Sequence, residues 1–66
     1  MAQSPISLDG YKVGSRVELH PATDLWMKGA RFGTVERVTW HRLHVRLDAT
    51  GRVVLLRPSD LNMAEG

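Results

Sequence analysis

Six residues between positions 37 and 46 could recognise an anionic ligand. Arginine guanidinium groups bind phosphates, and an indole ring can stack on a nucleic-acid base. We therefore predict that RNA or single-stranded DNA binds to a surface formed by Arg37, Trp40, His41, Arg42, His44 and Arg46. Under the alternative interpretation, arginines at outward strand positions only keep a small sheet soluble and its edges unpaired.

The charge distribution along the chain favours a basic surface in the same region. The whole chain carries a net charge of only +2. Between positions 37 and 57, however, five arginines face a single acid, Asp48, which leaves a local excess of four positive charges. An acidic partner is expected to bind where positive charges accumulate.

Residues with metal-binding or catalytic chemistry are present but do not form a recognisable site. His41-x-x-His44 has the spacing of half a metal site, and His20 could supply a third ligand. Residues on a turn and a strand need not converge, and no cysteine or carboxylate completes the set. Serine, histidine and aspartate lack the surroundings of a nucleophile elbow, a carboxylate pair or a phosphate loop. We predict a protein that is not an enzyme and holds neither metal nor cofactor.

The hydrophobic pattern predicts short strands that would position the basic residues. Apolar and polar residues alternate in several segments, and proline, glycine or aspartate separates them. A single helical turn is expected between the first two strands, because capping residues precede it and a glycine follows it. The predicted elements are a strand at 16–20, a helical turn within 22–29, strands at 32–39, 43–47 and 52–57, a turn at 58–61 and a short strand at 62–63.

The second predicted strand contains an irregularity. Val35 and Val38 cannot both point inward on a flat strand, since side chains alternate between its two faces. We therefore expect either a bulge at Glu36-Arg37 or strong coiling, both of which bend a sheet. Gly29 and Gly33 precede these valines, and their spacing predicts a tight turn and a close approach to a neighbouring backbone.

A second functional hypothesis concerns protein docking. The fourth strand contains four consecutive apolar residues, Val53 to Leu56, so both of its faces are expected to be covered. The helical turn carries apolar residues that could either pack on the barrel or anchor a partner. The candidate docking or self-association surface comprises Leu25, Trp26, Met27, Val54 and Leu56. On the fourth strand, Val53 and Leu55 are the alternative outward pair.

Length and composition predict one domain near the lower size limit for independent folding. We expect a flexible N-terminal tail at 1–10, a folded barrel at 11–63 and a short C-terminal tail at 64–66. No apolar run approaches the roughly 18 residues of a membrane span, and the first nine residues lack the features of a signal peptide. The absence of cysteine is compatible with a reducing compartment, so a cytoplasmic location is expected.

The stretch from Lys28 to Val38, preceded by Gly14-Ser15-Arg16-Val17, is similar to the KOW motif of ribosomal and transcription-elongation proteins. Those proteins place two glycines and two valines around the same bend. The resemblance implies RNA contact or docking within a nucleoprotein assembly. It also implies the fold class: an all-β, SH3-like small barrel of about five strands, with a structured loop between strands 1 and 2 and a single helical turn before the last strand.

The layout also resembles that of the photosystem I reaction-centre subunit IV family. The similarity rests on Gly14-Ser15-x-Val17, Gly33-Thr34-Val35, the strand Val45 to Asp48, and the closing Asp60-Leu61. This family implies a docking subunit with no chemistry of its own. The two resemblances therefore agree on a small barrel and differ on the partner, which is a nucleic acid in one case and a protein assembly in the other.

Overall fold

The fold of residues 7–64 is described by a computed structural model and consists mainly of short strands. A two-stranded ladder precedes a five-stranded antiparallel sheet with the order β6-β5-β4-β3-β7. One short α-helix and one 3-10 helix connect strands of the larger sheet. The elements are β1 (Ser7–Leu8), β2 (Tyr11–Lys12), β3 (Arg16–Leu19), α1 (Asp24–Met27), β4 (Phe32–Val38), β5 (Leu43–Leu47), β6 (Val53–Leu56), η1 (Pro58–Asp60) and β7 (Leu61–Met63).

The five predicted strands are confirmed to within one residue at each end, and the helical turn before the last strand is confirmed as η1. Closure of the sheet into a barrel is not observed. The last strand pairs with β3, and in the part of the chain that the structure describes it makes no ladder with β6. The three-residue strand β7 therefore forms one edge of the sheet, and β6 forms the other.

The core lies on one face of the five-stranded sheet. Every second residue of β3 and β5 is buried, as their alternation predicts. Half-buried apolar side chains from β1, α1 and β6 pack against this cluster. The buried hydrophobic residues are Tyr11, Val17, Leu19, Ala30, Val35, Val38, Leu43, Val45, Leu47, Leu56 and Leu61.

The predicted bulge in β4 is confirmed. Val35 pairs with Val45, but the next pair joins Arg37 to His44, so Glu36 is an extra residue in β4. The extra residue restores the inward direction for Val38, which explains how Val35 and Val38 are both buried.

Gly33 makes the close backbone approach that the sequence predicts. It is buried between β3 and β5, opposite Val17 and Leu47. A Cβ atom at this position would lie 2.7 Å from the main-chain oxygen of Arg46 and would also overlap the side chain of Val45. Only glycine therefore allows β4 and β5 to pair at their observed separation.

The helical turn α1 follows the predicted capping pattern. The Thr23 hydroxyl accepts a hydrogen bond from the Trp26 main-chain N–H at 3.3 Å. At the other end Gly29 adopts a φ of +93°, and the Ala30 N–H donates to the Leu25 carbonyl at 2.9 Å. This left-handed termination satisfies carbonyls that the helix leaves free.

The apolar residues of α1 divide between two environments. Leu25 and Trp26 pack against the core, whereas Met27 is 82% exposed. The guanidinium of Arg31 lies 4.8 Å from the centre of the Trp26 ring, in cation–π geometry. Trp26 therefore covers the core, and Met27 is the exposed member of the pair.

The predicted N-terminal tail differs from the structure at positions 7–10. Residues 1–6 of that tail lie outside the described residues. Ser7 and Leu8 form a strand that pairs with β2, and Leu8 is half-buried against the core. Asp9 and Gly10 both have positive φ, which is the geometry of a tight two-residue hairpin turn. The tail prediction overlooked this Asp-Gly signal.

The helices among residues 7–64 are short, and none has both the length and the apolar character needed to cross a membrane.

We predict that Gly33→Ala lowers the free energy of unfolding by about 1 to 3 kcal/mol, because the added methyl group must displace β5 or the Val45 side chain. Urea denaturation followed by circular dichroism measures the change. An unchanged unfolding midpoint would contradict the tight packing of β4 against β5.

We also predict that Trp26→Ala destabilises the fold by about 2 kcal/mol, because the substitution removes a half-buried indole that packs against the core. Met27→Ala is the matched control and should change stability by no more than about 0.5 kcal/mol. Thermal unfolding of both variants measures the difference. Equal effects at the two positions would refute the assignment of Trp26 to the core cover.

Candidate nucleic-acid interface

The β4–β5 hairpin positions all six residues predicted to bind nucleic acid. Its turn is held by Thr39, whose N–H and hydroxyl both donate to the Arg42 carbonyl, each at 2.9 Å. The Arg42 N–H in turn donates to the Thr39 hydroxyl at 3.0 Å. These bonds close the hairpin around Trp40 and His41 and use only main-chain atoms of Arg42.

The tip of this hairpin, defined as residues 40–42, is open to solvent. Trp40 is 61% exposed, and His41 and Arg42 are also exposed. The Arg42 guanidinium donates to the His41 carbonyl at 3.0 Å, which keeps it close to the turn. An uncovered indole beside a guanidinium can stack on a base while contacting its phosphate.

Two further predicted residues lie beside the tip on the outer face of the sheet. Arg37 and His44 are opposite each other on β4 and β5, two residue pairs away from the turn. Arg37 is exposed and His44 is half-buried. The tip, Arg37 and His44 therefore lie at the same end of the β4–β5 hairpin.

Arg46 lies further along the same face but is already engaged. Its guanidinium forms a two-point ion pair with Glu36, through Nε to Oε1 and through Nη2 to Oε2 at 3.1 Å. The hydrogen bond from Arg46 lowers the pKa of Glu36 below its ordinary value. Arg46 thus offers less free charge to a ligand than a count along the sequence implies.

Asp48, the single acid between positions 37 and 57, is also paired, with an arginine that lies outside this range. Arg16 on β3 donates to both carboxylate oxygens of Asp48, at 2.9 and 2.6 Å, and to the Thr34 hydroxyl at 2.8 Å. Hydrogen bonding to Arg16 lowers the pKa of Asp48. Asp48 is therefore not available to neutralise the arginines of the hairpin.

These two ion pairs determine which arginines of the region 37–57 lack an acidic partner. Among residues 7–64 they are the only ion pairs, so four arginines of the region have no acidic partner there. The local excess of positive charge remains four, because Arg46 and Asp48 are each paired with a residue outside positions 37–57. The unpaired arginines are Arg37, Arg42, Arg52 and Arg57.

The structure does not bring the three histidines together as a metal site. His20 lies at the end of β3, where its Nδ1 accepts a hydrogen bond from the Ala22 N–H at 3.1 Å. No group of three histidine, aspartate or glutamate side chains in the described segment is arranged to hold a metal ion. No cavity was found on the surface of that segment, so the candidate interface is not a pocket.

The predicted docking residues on β6 require a correction. Val54 and Leu56 lie opposite Val45 and Leu43, so they face the core, and Leu56 is buried. The neighbouring residues Val53 and Leu55 are 44% and 60% exposed. Four consecutive apolar residues do not show which of them face the core. Pairing β6 with the alternating residues of β5 across the hairpin would have predicted that Val54 and Leu56 do.

Comparison of the chain with models of protein families, with curated proteins and with solved structures found no match.

We predict that the two ion pairs make the folded state sensitive to acid. Because the pKa values of Glu36 and Asp48 are lowered on folding, their stabilisation is complete above the ordinary carboxyl value of about 4 and is lost as the pH falls through the lowered values. Urea midpoints should fall across that range in the natural chain and fall less in Glu36→Gln/Asp48→Asn. A double variant with the same pH profile would refute this assignment.

Proposed function

We propose that this chain is a non-enzymatic module of SH3-like architecture that binds RNA or single-stranded DNA. The tip at residues 40–42 makes the primary contact, and Arg37 and His44 extend it onto the outer face of the sheet. The observation that carries the proposal is the exposed Trp40 between arginines that lack acidic partners among residues 7–64.

The exposed indole of Trp40 favours a single-stranded ligand. An unpaired base presents an open face on which an indole can stack, whereas bases within a duplex are already stacked. Arg37 and Arg42 would contact the flanking phosphates and would make the affinity dependent on salt. Arg46 would act indirectly, because its ion pair with Glu36 keeps that carboxylate from facing the phosphates as a free charge.

A protein-docking role is the second candidate function. It is supported by the apolar side chains that β6 exposes at the edge of the sheet, Val53 and Leu55. This role needs no contribution from the hairpin tip, so the two candidate surfaces can be tested separately.

We predict that labelled single-stranded RNA or DNA of about ten nucleotides binds the chain, and that affinity falls between about 50 mM and about 200 mM salt. Trp40→Ala should weaken binding by about 1 to 3 kcal/mol through loss of stacking. Arg42→Gln and Arg37→Gln should each reduce the salt slope by about one. Fluorescence anisotropy measures all three effects.

Two further variants act as controls. Lys28→Gln removes a positive charge that lies outside the hairpin and should leave binding nearly unchanged. Glu36→Gln releases Arg46 from its ion pair and should strengthen binding. The proposal fails if no oligonucleotide binds at low salt, if binding shows no salt dependence, or if Lys28→Gln weakens it as much as Arg42→Gln.

A further inference from the structure

The strand β6 has an unpaired edge. Within the described part of the chain it pairs with β5 alone, so its opposite edge forms no strand ladder there. The Leu47 N–H donates to the Arg52 carbonyl at 2.8 Å, so Leu47 and Arg52 form a hydrogen-bonded pair. Hydrogen-bonded and non-hydrogen-bonded pairs then alternate along β6. By that alternation, Val54 and Leu56 bond to β5, whereas the N–H and carbonyl groups of Val53 and Leu55 point away from the sheet.

The same two residues expose their side chains on the outer face. Leu55 lies beside His44 and Val53 lies beside Arg46, according to the β5–β6 register. Each of the two therefore offers a main-chain donor, a main-chain acceptor and an apolar side chain. This combination is what an added strand uses, since its backbone supplies affinity and its alternate side chains supply specificity.

An arginine stands at each end of the strand, and at the far end the Asp60 carboxylate also accepts a hydrogen bond from the Arg57 main-chain N–H at 3.3 Å. Arg52 precedes β6 and Arg57 follows it, and both side chains are exposed. Neither forms an ion pair with an acidic residue between positions 7 and 64. A partner strand with acidic residues near its two ends would complement these charges.

We propose that β6 binds an extended, acidic segment of another protein as a sixth strand of the sheet. The segment would bond to the main chain of Val53 and Leu55 and would place apolar side chains against theirs. Its carboxylates would pair with Arg52 and Arg57. This inference rests on the docking role given as the second candidate function. Leu56 pairs with Leu43, so Arg57 stands at the same end of the sheet as Arg42 of the hairpin tip.

The same charges argue against a second copy of this chain as the occupant. In antiparallel self-pairing, the end of β6 near Arg52 meets the end of the partner copy near Arg57, and the converse holds at the other end of the junction. Like charges would therefore accumulate twice across a short edge, and arginine or lysine at an edge strand opposes such pairing. An acidic segment turns that repulsion into attraction.

Binding of two synthetic peptides tests the proposal. Both have valine at alternate positions, and one carries aspartate at each end where the other carries lysine. We expect the aspartate peptide to bind more tightly, and the affinity gap to narrow with added salt. In NMR titrations, the amide signals of Val53 and Leu55 should shift more than those of the residues at the hairpin tip.

Three variants locate the bound peptide. Leu55→Pro removes an outward N–H without breaking a bond to β5, and should weaken peptide binding by about tenfold. Leu55→Thr keeps that N–H and should weaken it less. Arg52→Gln/Arg57→Gln leaves the backbone unchanged and should abolish the preference for aspartate over lysine. Trp40→Ala should leave peptide binding unchanged while it weakens oligonucleotide binding.

Several results would overturn the proposal. Equal binding of the two peptides, or an unchanged preference for aspartate in the double arginine variant, would refute recognition of an acidic segment. A dimer detected by light scattering and lost in Leu55→Pro would assign the edge to a second copy. Displacement of the bound aspartate peptide by single-stranded RNA would assign it to nucleic acid.

Discussion

The extra residue in β4 is the constraint on which the rest of the structure depends. Without Glu36 in the bulge, strict alternation would turn either Val35 or Val38 out of the core. The bulge also separates the two sides of β4 chemically, since both valines are buried while Glu36 and Arg37 face solvent. One local departure from regular pairing therefore completes the core, directs the hairpin and supplies the carboxylate that engages Arg46.

Charge on this surface is organised by strand pairing rather than by position in the chain. Arg16 and Asp48 are 32 residues apart and are joined because β3 and β5 both flank β4. Glu36 and Arg46 meet because the bulge lies opposite the middle of β5. The two pairs leave four arginines of the region without an acidic partner among residues 7–64: Arg37 and Arg42 at the hairpin end, and Arg52 and Arg57 at the two ends of the edge strand.

Much of the local structure could be predicted because its causes are local. Alternating residues predicted β3 and β5, the two valines predicted the bulge, and Thr23 with Gly29 predicted the helical turn. The facing of β6 could not be read from four consecutive apolar residues, because its direction is set by the pairs that it forms with β5. All six residues of the predicted site lie on the β4–β5 hairpin. The partners of Arg46 and Asp48 depend on strand register, which a charge count does not contain.

The hydrogen bonds that hold the hairpin tip have an evolutionary consequence. Thr39 closes the turn through its own hydroxyl and N–H, and Arg42 contributes only its main-chain groups to that closure. The closure of the loop is therefore independent of the side chains at positions 40 and 41, and the Arg42 guanidinium adds only its hydrogen bond to the His41 carbonyl. Selection, or a library randomised at these positions, could exchange one recognition chemistry for another with little cost to folding. The hairpin is thus a scaffold whose stability and specificity can diverge separately.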